Sequence, residues 1–293
     1  PMREHYLHRL FAPHGIAVFG ANDEPLSVGW RVLANLREAG YAGDLYPVNP
    51  HHETVQGLDC HADLDTVHAH VDLAIVATPP EAIADILRAC GDHGVGLVVV
   101  MTAGFAEAGD AGRRRQQRLV EIARQQGLRL VGPNCLGIMR PSHELNATFS
   151  LGSARPGRMA LVSQSGALCT AILDWAEPRR LGFSAVASVG DAADIDFGDV
   201  LDYLAQDHET RGILLYIEGV QRPRRFLSAL RSVARIKPVI VIKAGRHAPG
   251  SRAAMSHTGT LVGGDDAFDA ALSRAGAVRV ATISQLFSAA QIL

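Results

Sequence analysis

Short β-branched runs alternate with longer segments of 3.6-residue period, and the alternation starts twice along the chain. In the first series Ile16–Phe19, Asp44–Val48, Leu73–Ala77, Leu97–Met101 and Arg129–Val131 read as strands, with helices near Gly29–Ala39, Glu81–His93 and Ala111–Gln126. In the second, Met159–Ser163, Ala185–Val189, Ile213–Ile217, Val239–Ile242 and Val278–Val280 are strands. Helices lie near Ala167–Ala176, Phe197–Ala205, Arg224–Arg235, Asp265–Ala275 and Ile283–Gln291. Strands that alternate with helices across short loops are joined by crossovers, so each series predicts a doubly wound parallel sheet. The fold class is α/β in two domains, 1–131 and 132–293. The joint between them, from Gly132-Pro133-Asn134-Cys135-Leu136-Gly137 to Arg155-Pro156-Gly157, is rich in turn formers and reads as a structured linker facing a cleft.

Length agrees with this division, since 293 residues suit two domains of roughly 100–200 residues. A net charge of −2 leaves no electrostatic footprint for nucleic acid. The arginines at 113–115 and Arg222, Arg224 and Arg225 fall in helical patterns and read as solvated faces. Cys60, Cys90, Cys135 and Cys169 show no CxxC spacing, which disfavours a zinc site or a disulfide framework and fits reduced thiols in a cytoplasmic protein. No apolar run reaches the roughly 18 residues of a membrane span. Pro1 ahead of Met2 reads as an expression remnant. The apolar helical pattern at Phe287–Leu293, without a cap, predicts a piece of a longer polypeptide.

Five places can carry chemistry. After the first strand, Gly20-Ala21-Asn22-Asp23-Glu24-Pro25-Leu26-Ser27-Val28-Gly29 leads into a helix, where backbone amides and the positive helix end can meet a phosphate. The dinucleotide fingerprint GxGxxG is missing, and the second strand ends in Val48-Asn49-Pro50 rather than in a ribose-binding carboxylate. A nucleotide-bearing cofactor other than NAD is therefore favoured. Strands three and four end in Ala77-Thr78-Pro79 and Thr102-Ala103-Gly104, at the edge where such sheets bind ligands, although caps and turns explain each of these residues equally well.

In the second series, Ser163-Gln164-Ser165-Gly166 is a strand, a tight turn and a helix start. Its free amides suit a phosphate or a phosphohistidine, against the alternative of an ordinary capped helix. Glu218 falls just past an apolar strand, where it either orients an imidazole or is a surface glutamate. His257 in Ser256-His257-Thr258-Gly259 is set among small and hydroxyl residues, which suits an imidazole that accepts and passes on a phosphoryl group. Among thirteen histidines it stands out by context; His5, His8, His51, His52, His61, His68, His70 and His93 read as surface residues.

Taken in order, these motifs resemble the α portion of NDP-forming acyl-CoA synthetases, with succinyl-CoA synthetase α a more distant likeness. The resemblance covers essentially the whole chain. It implies an N-terminal Rossmann-like CoA-binding domain and a flavodoxin-like, succinyl-CoA synthetase-like second domain. Gly20, Ala21, Asn22, Ser27, Val48, Asn49, Pro50, Ala77, Thr78, Pro79, Thr102, Ala103 and Gly104 would form the coenzyme A or acyl-CoA site. His257 would be the phosphorylated residue and Glu218 its orienting carboxylate, with Ser163, Gln164, Ser165, Gly166 and Gly259 holding the phosphate. The implied partner is an ATP-grasp (β) domain, in cis or in trans, that binds ADP or ATP with Mg; the chain itself lacks that part. Leu145–Ser150, Ile172–Ala176, Gly190-Asp191, Asp194–Asp196 and Val200–Ala205 also resemble the synthetase-like region of bacterial protein lysine acetyltransferases, which implies an alternative: an acyl-CoA-sensing region fused to a GNAT domain.

Overall fold

The computed structural model describes residues 5–244 and 265–292. The first domain runs through α1 (His8–Phe11), β1 (Gly15–Phe19), α2 (Val28–Glu38), β2 (Asp44–Val48), β3 (Thr54–Val55), β4 (Leu58–Asp59), β5 (Leu73–Val76), α3 (Ile83–His93), β6 (Leu97–Val100), α4 (Asp110–Gln125) and β7 (Arg129–Val131). Its main sheet has the order β2-β1-β5-β6-β7, all parallel. Every residue of β1, β5 and β6 is buried, which is why these strands read as unbroken apolar runs rather than as alternations.

The second domain contains β8 (Gly137–Arg140), β9 (Leu145–Thr148), β10 (Arg155–Ser163), α5 (Gly166–Ala176), β11 (Gly182–Ser188), α6 (Phe197–Gln206), β12 (Gly212–Ile217), α7 (Pro223–Ala234), β13 (Val239–Lys243), α8 (Asp265–Ala275), β14 (Val278–Val280) and α9 (Ile283–Ile292). Its sheet order is β14-β13-β12-β10-β11-β8-β9, parallel from β14 to β11 and antiparallel through β8 and β9. If the parallel strands of each sheet are numbered within that sheet, both read 2-1-3-4-5. The winding direction therefore reverses between β1 and β5 and again between β10 and β12, and crevices open at the carboxyl ends of those strands.

The joint differs from its sequence reading. Residues 137–148 form a strand pair that extends the second sheet, and β10 starts at Arg155. All positions of β8 and β9 are buried, so no alternation announces them. The arginine reading also needs correction. Arg113, Arg114, Arg115, Arg224 and Arg225 are exposed and Arg222 is half-buried, but Arg222 and Arg225 also pair with the buried Asp196 and Asp199, which cap α6.

The domains share an apolar core in which Leu10, Phe11, Leu33 and Leu36 pack with Ile138, Leu145 and Leu201. One buried amide fastens the seam: Asn35 Nδ2 donates to the carbonyls of Thr148 at 2.7 Å and Ser150 at 2.8 Å. In Asn35→Ala both carbonyls lose that donor in a place water does not reach. The expected cost is about 2–3 kcal/mol, which at this size lowers the melting midpoint by roughly 3–5 °C in a thermal melt. An unchanged midpoint would show that the seam does not depend on this amide.

Candidate functional site

The first crevice is built by a sequence that cannot continue straight from strand to helix. Gly20 turns with φ +83°, and a β-carbon at Gly29 would lie 1.9 Å from the Gly20 carbonyl oxygen, so the start of α2 rests directly on the loop backbone. Asn22 organises the loop. Its Oδ1 accepts from the Glu24 amide and the Ser27 hydroxyl, both at 2.8 Å, and its Nδ2 donates to Gly20 O at 3.0 Å. Ser27 in turn caps α2 by accepting from Trp30 N. Asn49 Nδ2 ties the end of β2 to the carbonyl of Ala21 at 2.8 Å.

A cavity of about 680 Å³ opens over this framework. Gly20, Asn22, Val48, Asn49, Pro50, Ala77, Thr78 and Pro79 line it, as the sequence reading expects. Ala21, Ser27, Thr102, Ala103 and Gly104 do not. Ala21 is fully buried, Ser27 spends its hydroxyl on the cap and on Asn22, and the 102–104 loop faces the second domain through the bond from Asn134 N to Thr102 O. Thr102 still touches the site's frame, donating its hydroxyl to Thr78 O at 2.7 Å. Sequence reasoning missed Ile86 and Ala89 on α3 and the turn at Ala62, Asp63 and Leu64, which complete the wall. The 3.6-residue period of α3 marks a packed face but does not tell core from cavity.

The second crevice lies at the carboxyl ends of β10 and β12. Ser163 is fully buried and locks the turn, its Oγ accepting from Ser165 N at 3.0 Å and donating to Ser165 O at 2.9 Å. Ser165 caps α5 by accepting from Leu168 N, which leaves the Gly166 and Ala167 amides without a partner inside the helix. Glu218 is 5% exposed, so a plain surface glutamate does not describe it. Gln164 also organises the crevice: its Oε1 accepts from the Glu218 and Gly219 amides at 2.6 and 3.0 Å, so that oxygen positions the Glu218 turn. His257 and Gly259 lie outside the described residues.

Cys60, Cys90, Cys135 and Cys169 are all unpaired thiols. Burial pushes the thiols of Cys90, Cys135 and Cys169 up to about 12, which makes them structural rather than nucleophilic. None of the eight histidines read as surface residues is buried. Among the described residues no cluster of His, Cys, Asp and Glu could hold a metal ion, and no helix is long and apolar enough to cross a membrane.

Fold and crevices together define a class of protein: a CoA-binding domain joined to a flavodoxin-like ligase domain. The family model of a CoA binding domain matches residues 14–141, and that of the succinyl-CoA ligase like flavodoxin domain matches residues 156–293. The chain is similar to α subunits of ADP-forming acetate–CoA ligases and to longer ADP-forming acyl-CoA ligases, of which it spans about two fifths to just under two thirds. It is 44% identical over 97% of its length to the α subunit of acetate–CoA ligase [ADP-forming] II of Pyrococcus furiosus, and it spans 62% of that subunit. It is 38% identical over 95% of its length to 4-hydroxybutyrate–CoA ligase [ADP-forming] of Nitrosopumilus maritimus, of which it spans 40%. The solved dinucleotide-forming acetyl-coenzyme A synthetase 1 of Ca. Korarchaeum cryptofilum, in complex with phosphate and ADP, superposes with a TM-score of 0.93 at 36% identity, over 97% of this chain and 61% of that one. These relatives favour the ligase reading over the acetyltransferase fusion.

Proposed function

We propose that this chain is the CoA-binding and phosphoryl-carrying part of an ADP-forming acyl-CoA synthetase. The observation that supports it most is the placing of a phosphate-type loop with a cavity at one switch point and a capped helix start beside a buried carboxylate at the other. The first site fits coenzyme A. The start of α2 packs directly on the loop backbone at Gly29, and Thr78 Oγ1 is buried at the cavity without a partner among the described residues. The α2 N-terminus suits a phosphate, and the apolar wall of Val48, Ile86 and Ala89 suits the rest of the molecule.

In the reaction, a phosphate oxygen attacks the thioester carbonyl. The carbon–sulfur bond breaks, and acyl phosphate and the CoA thiolate result. The α5 N-terminus stabilises the phosphoryl group as His257 attacks phosphorus and the carboxylate leaves. An ATP-grasp partner, in cis or in trans and with Mg, then takes the phosphoryl group to ADP. Unpaired thiols at all four cysteines support a cytoplasmic setting. The test supplies acyl-CoA, labelled phosphate and this chain, with and without an ATP-grasp partner. Acid-labile label on the chain is expected, and it should pass to ADP when the partner is present; CoA binding with no label under either condition would overturn the proposal.

Gly29→Ala is expected to weaken CoA binding about tenfold and to cost about 1–3 kcal/mol of stability, because the added carbon displaces backbone rather than a pliable side chain. Calorimetric titration with CoA checks this; unaltered affinity would mean that the loop does not hold the ligand.

A further inference from the structure

One turn touches the frames of both crevices. On the side of the first domain, the Thr102 hydroxyl donates to Thr78 O in the cavity wall at 2.7 Å, and Thr102 O accepts from Asn134 N at 3.0 Å. On the side of the second, Val189 N donates to Ser163 O at 2.8 Å, and the next residue rests on the 132–134 turn. A β-carbon at Gly190 would fall 2.3 Å from Pro133 O and 2.4 Å from Asn134 O. Leu136 N, two residues past Asn134, donates to Ser188 Oγ at 3.0 Å, and Ser188 is the partner of Ser163 in the sheet.

Asn134 joins the two frames in a single residue. Its φ of +56° is left-handed backbone, which Asn adopts more readily than most residues with a side chain. Held so, its backbone amide donates to Thr102 O while its Nδ2 donates to Asp191 Oδ1 at 3.3 Å. Asp191 is buried in the loop after β11, and its carboxyl is also favoured by the Ala106 amide of the first domain. Three backbone bonds run beside this link: Asp191 N to Pro133 O at 3.0 Å, Ala193 N to Gly132 O at 3.0 Å and Ile195 N to Leu130 O at 2.9 Å. They do not depend on the Asn134 side chain, so the loop stays docked when that amide is removed and what changes is its placement.

Building on the function proposed above, we propose that Asn134 is a positioning residue for acyl transfer: by joining Thr102 to Asp191 it sets the spacing between the CoA cavity and the phosphate crevice. Acyl transfer is the step that uses both crevices at once. A phosphate oxygen bonds to the thioester carbonyl carbon, the carbon–sulfur bond breaks, and CoA leaves as the thiolate. Exchange of the phosphoryl group with the nucleotide needs the second crevice alone. Loosening the link therefore slows the first step and spares the second, since misplacing reacting groups by about 1 Å can cost about 10²-fold in rate.

The test uses the chain with its ATP-grasp partner and reads acid-labile label on the chain from two donors: acetyl-CoA with labelled inorganic phosphate, and γ-labelled ATP with Mg. Asn134→Gly deletes the amide and still permits the left-handed turn; Asp191→Ala deletes the acceptor. Both variants are expected to slow labelling from acetyl-CoA about 10–100-fold. Labelling from ATP, and CoA affinity by calorimetry, should stay within about twofold of wild type. Asp191→Asn keeps an oxygen for Asn134 Nδ2 and should hold the acetyl-CoA rate within about threefold of wild type. Equal slowing from both donors, a wild-type rate from acetyl-CoA in Asn134→Gly, or a loss of CoA affinity as large as the loss of rate would each overturn the positioning role. Asp191→Asn as slow as Asp191→Ala would overturn the bond as its cause. A wild-type complex labelled by neither donor would refute the functional reading, and this proposal with it.

Discussion

Glu218→Gln is expected to slow phosphorylation of the chain about 10²–10⁴-fold, the range found when a group that orients or deprotonates a catalytic imidazole is lost. His257→Ala should abolish the acid-labile label altogether. A carboxylate accepts the N–H of one ring nitrogen, fixes the tautomer and stabilises positive charge as the other nitrogen takes up phosphorus. The fold supports this part for Glu218. The residue is buried at the end of β12, its backbone amide is held by Gln164 from the neighbouring strand end, and the capped start of α5 lies across the same crevice. Gln preserves the shape and can still hydrogen-bond but carries no charge. CoA affinity should stay within about twofold in both variants, because the cavity belongs to the other switch point. Label appearing at the wild-type rate in Glu218→Gln would remove Glu218 from the chemistry.

Between about pH 4 and pH 7 the chain is expected to lose stability as pH rises, by up to about 4 kcal/mol from Asp191 alone. In the folded chain this carboxyl titrates at about 7, whereas in the unfolded chain it titrates near the ordinary value of about 3.9. Across that window the folded state keeps a proton that the unfolded state gives up. Stability is therefore highest at the acid end and levels off above neutrality. His5, held below its usual value by burial, gives a smaller opposite slope near pH 6. Asp72, Asp199 and Asp207 are held below the ordinary carboxylate range by their hydrogen-bonding and charged neighbours despite burial, so the stability they contribute is lost only below about pH 4. Urea unfolding at pH 5 and pH 7.5 checks the prediction. The wild-type chain should lose a few kcal/mol between the two, and Asp191→Asn should lose much less. Parallel behaviour of the two proteins would show that Asp191 ionises as an ordinary carboxyl.

Much of the frame was legible because its causes are local. Ile16–Phe19, Leu73–Val76 and Val239–Ile242 are apolar runs that only a strand covered on both faces accommodates, and the segments between them carry the helical period. The turn residues of the phosphate-type loop were legible for the same reason, since a positive φ at Gly20 and the backbone approach at Gly29 exclude a side chain. The pair β8 and β9 was not, because residues buried on both faces show no alternation and β11, the strand that joins β8 to the sheet, lies far along the chain.

By itself the sequence determined the two α/β series, the glycine turns, the capped helix starts and the order of motifs that carries the resemblance to acyl-CoA synthetases. Each depends on the period or backbone freedom of a few adjacent residues. Only the tertiary structure decided which of these residues share a crevice. It put Val48, Thr78 and α3 around one cavity, turned Gln164 toward the Glu218 amide, and buried Asp191 behind β11. Burial and the field of a distant charge arise from packing between segments far apart in the chain, and no local pattern encodes them.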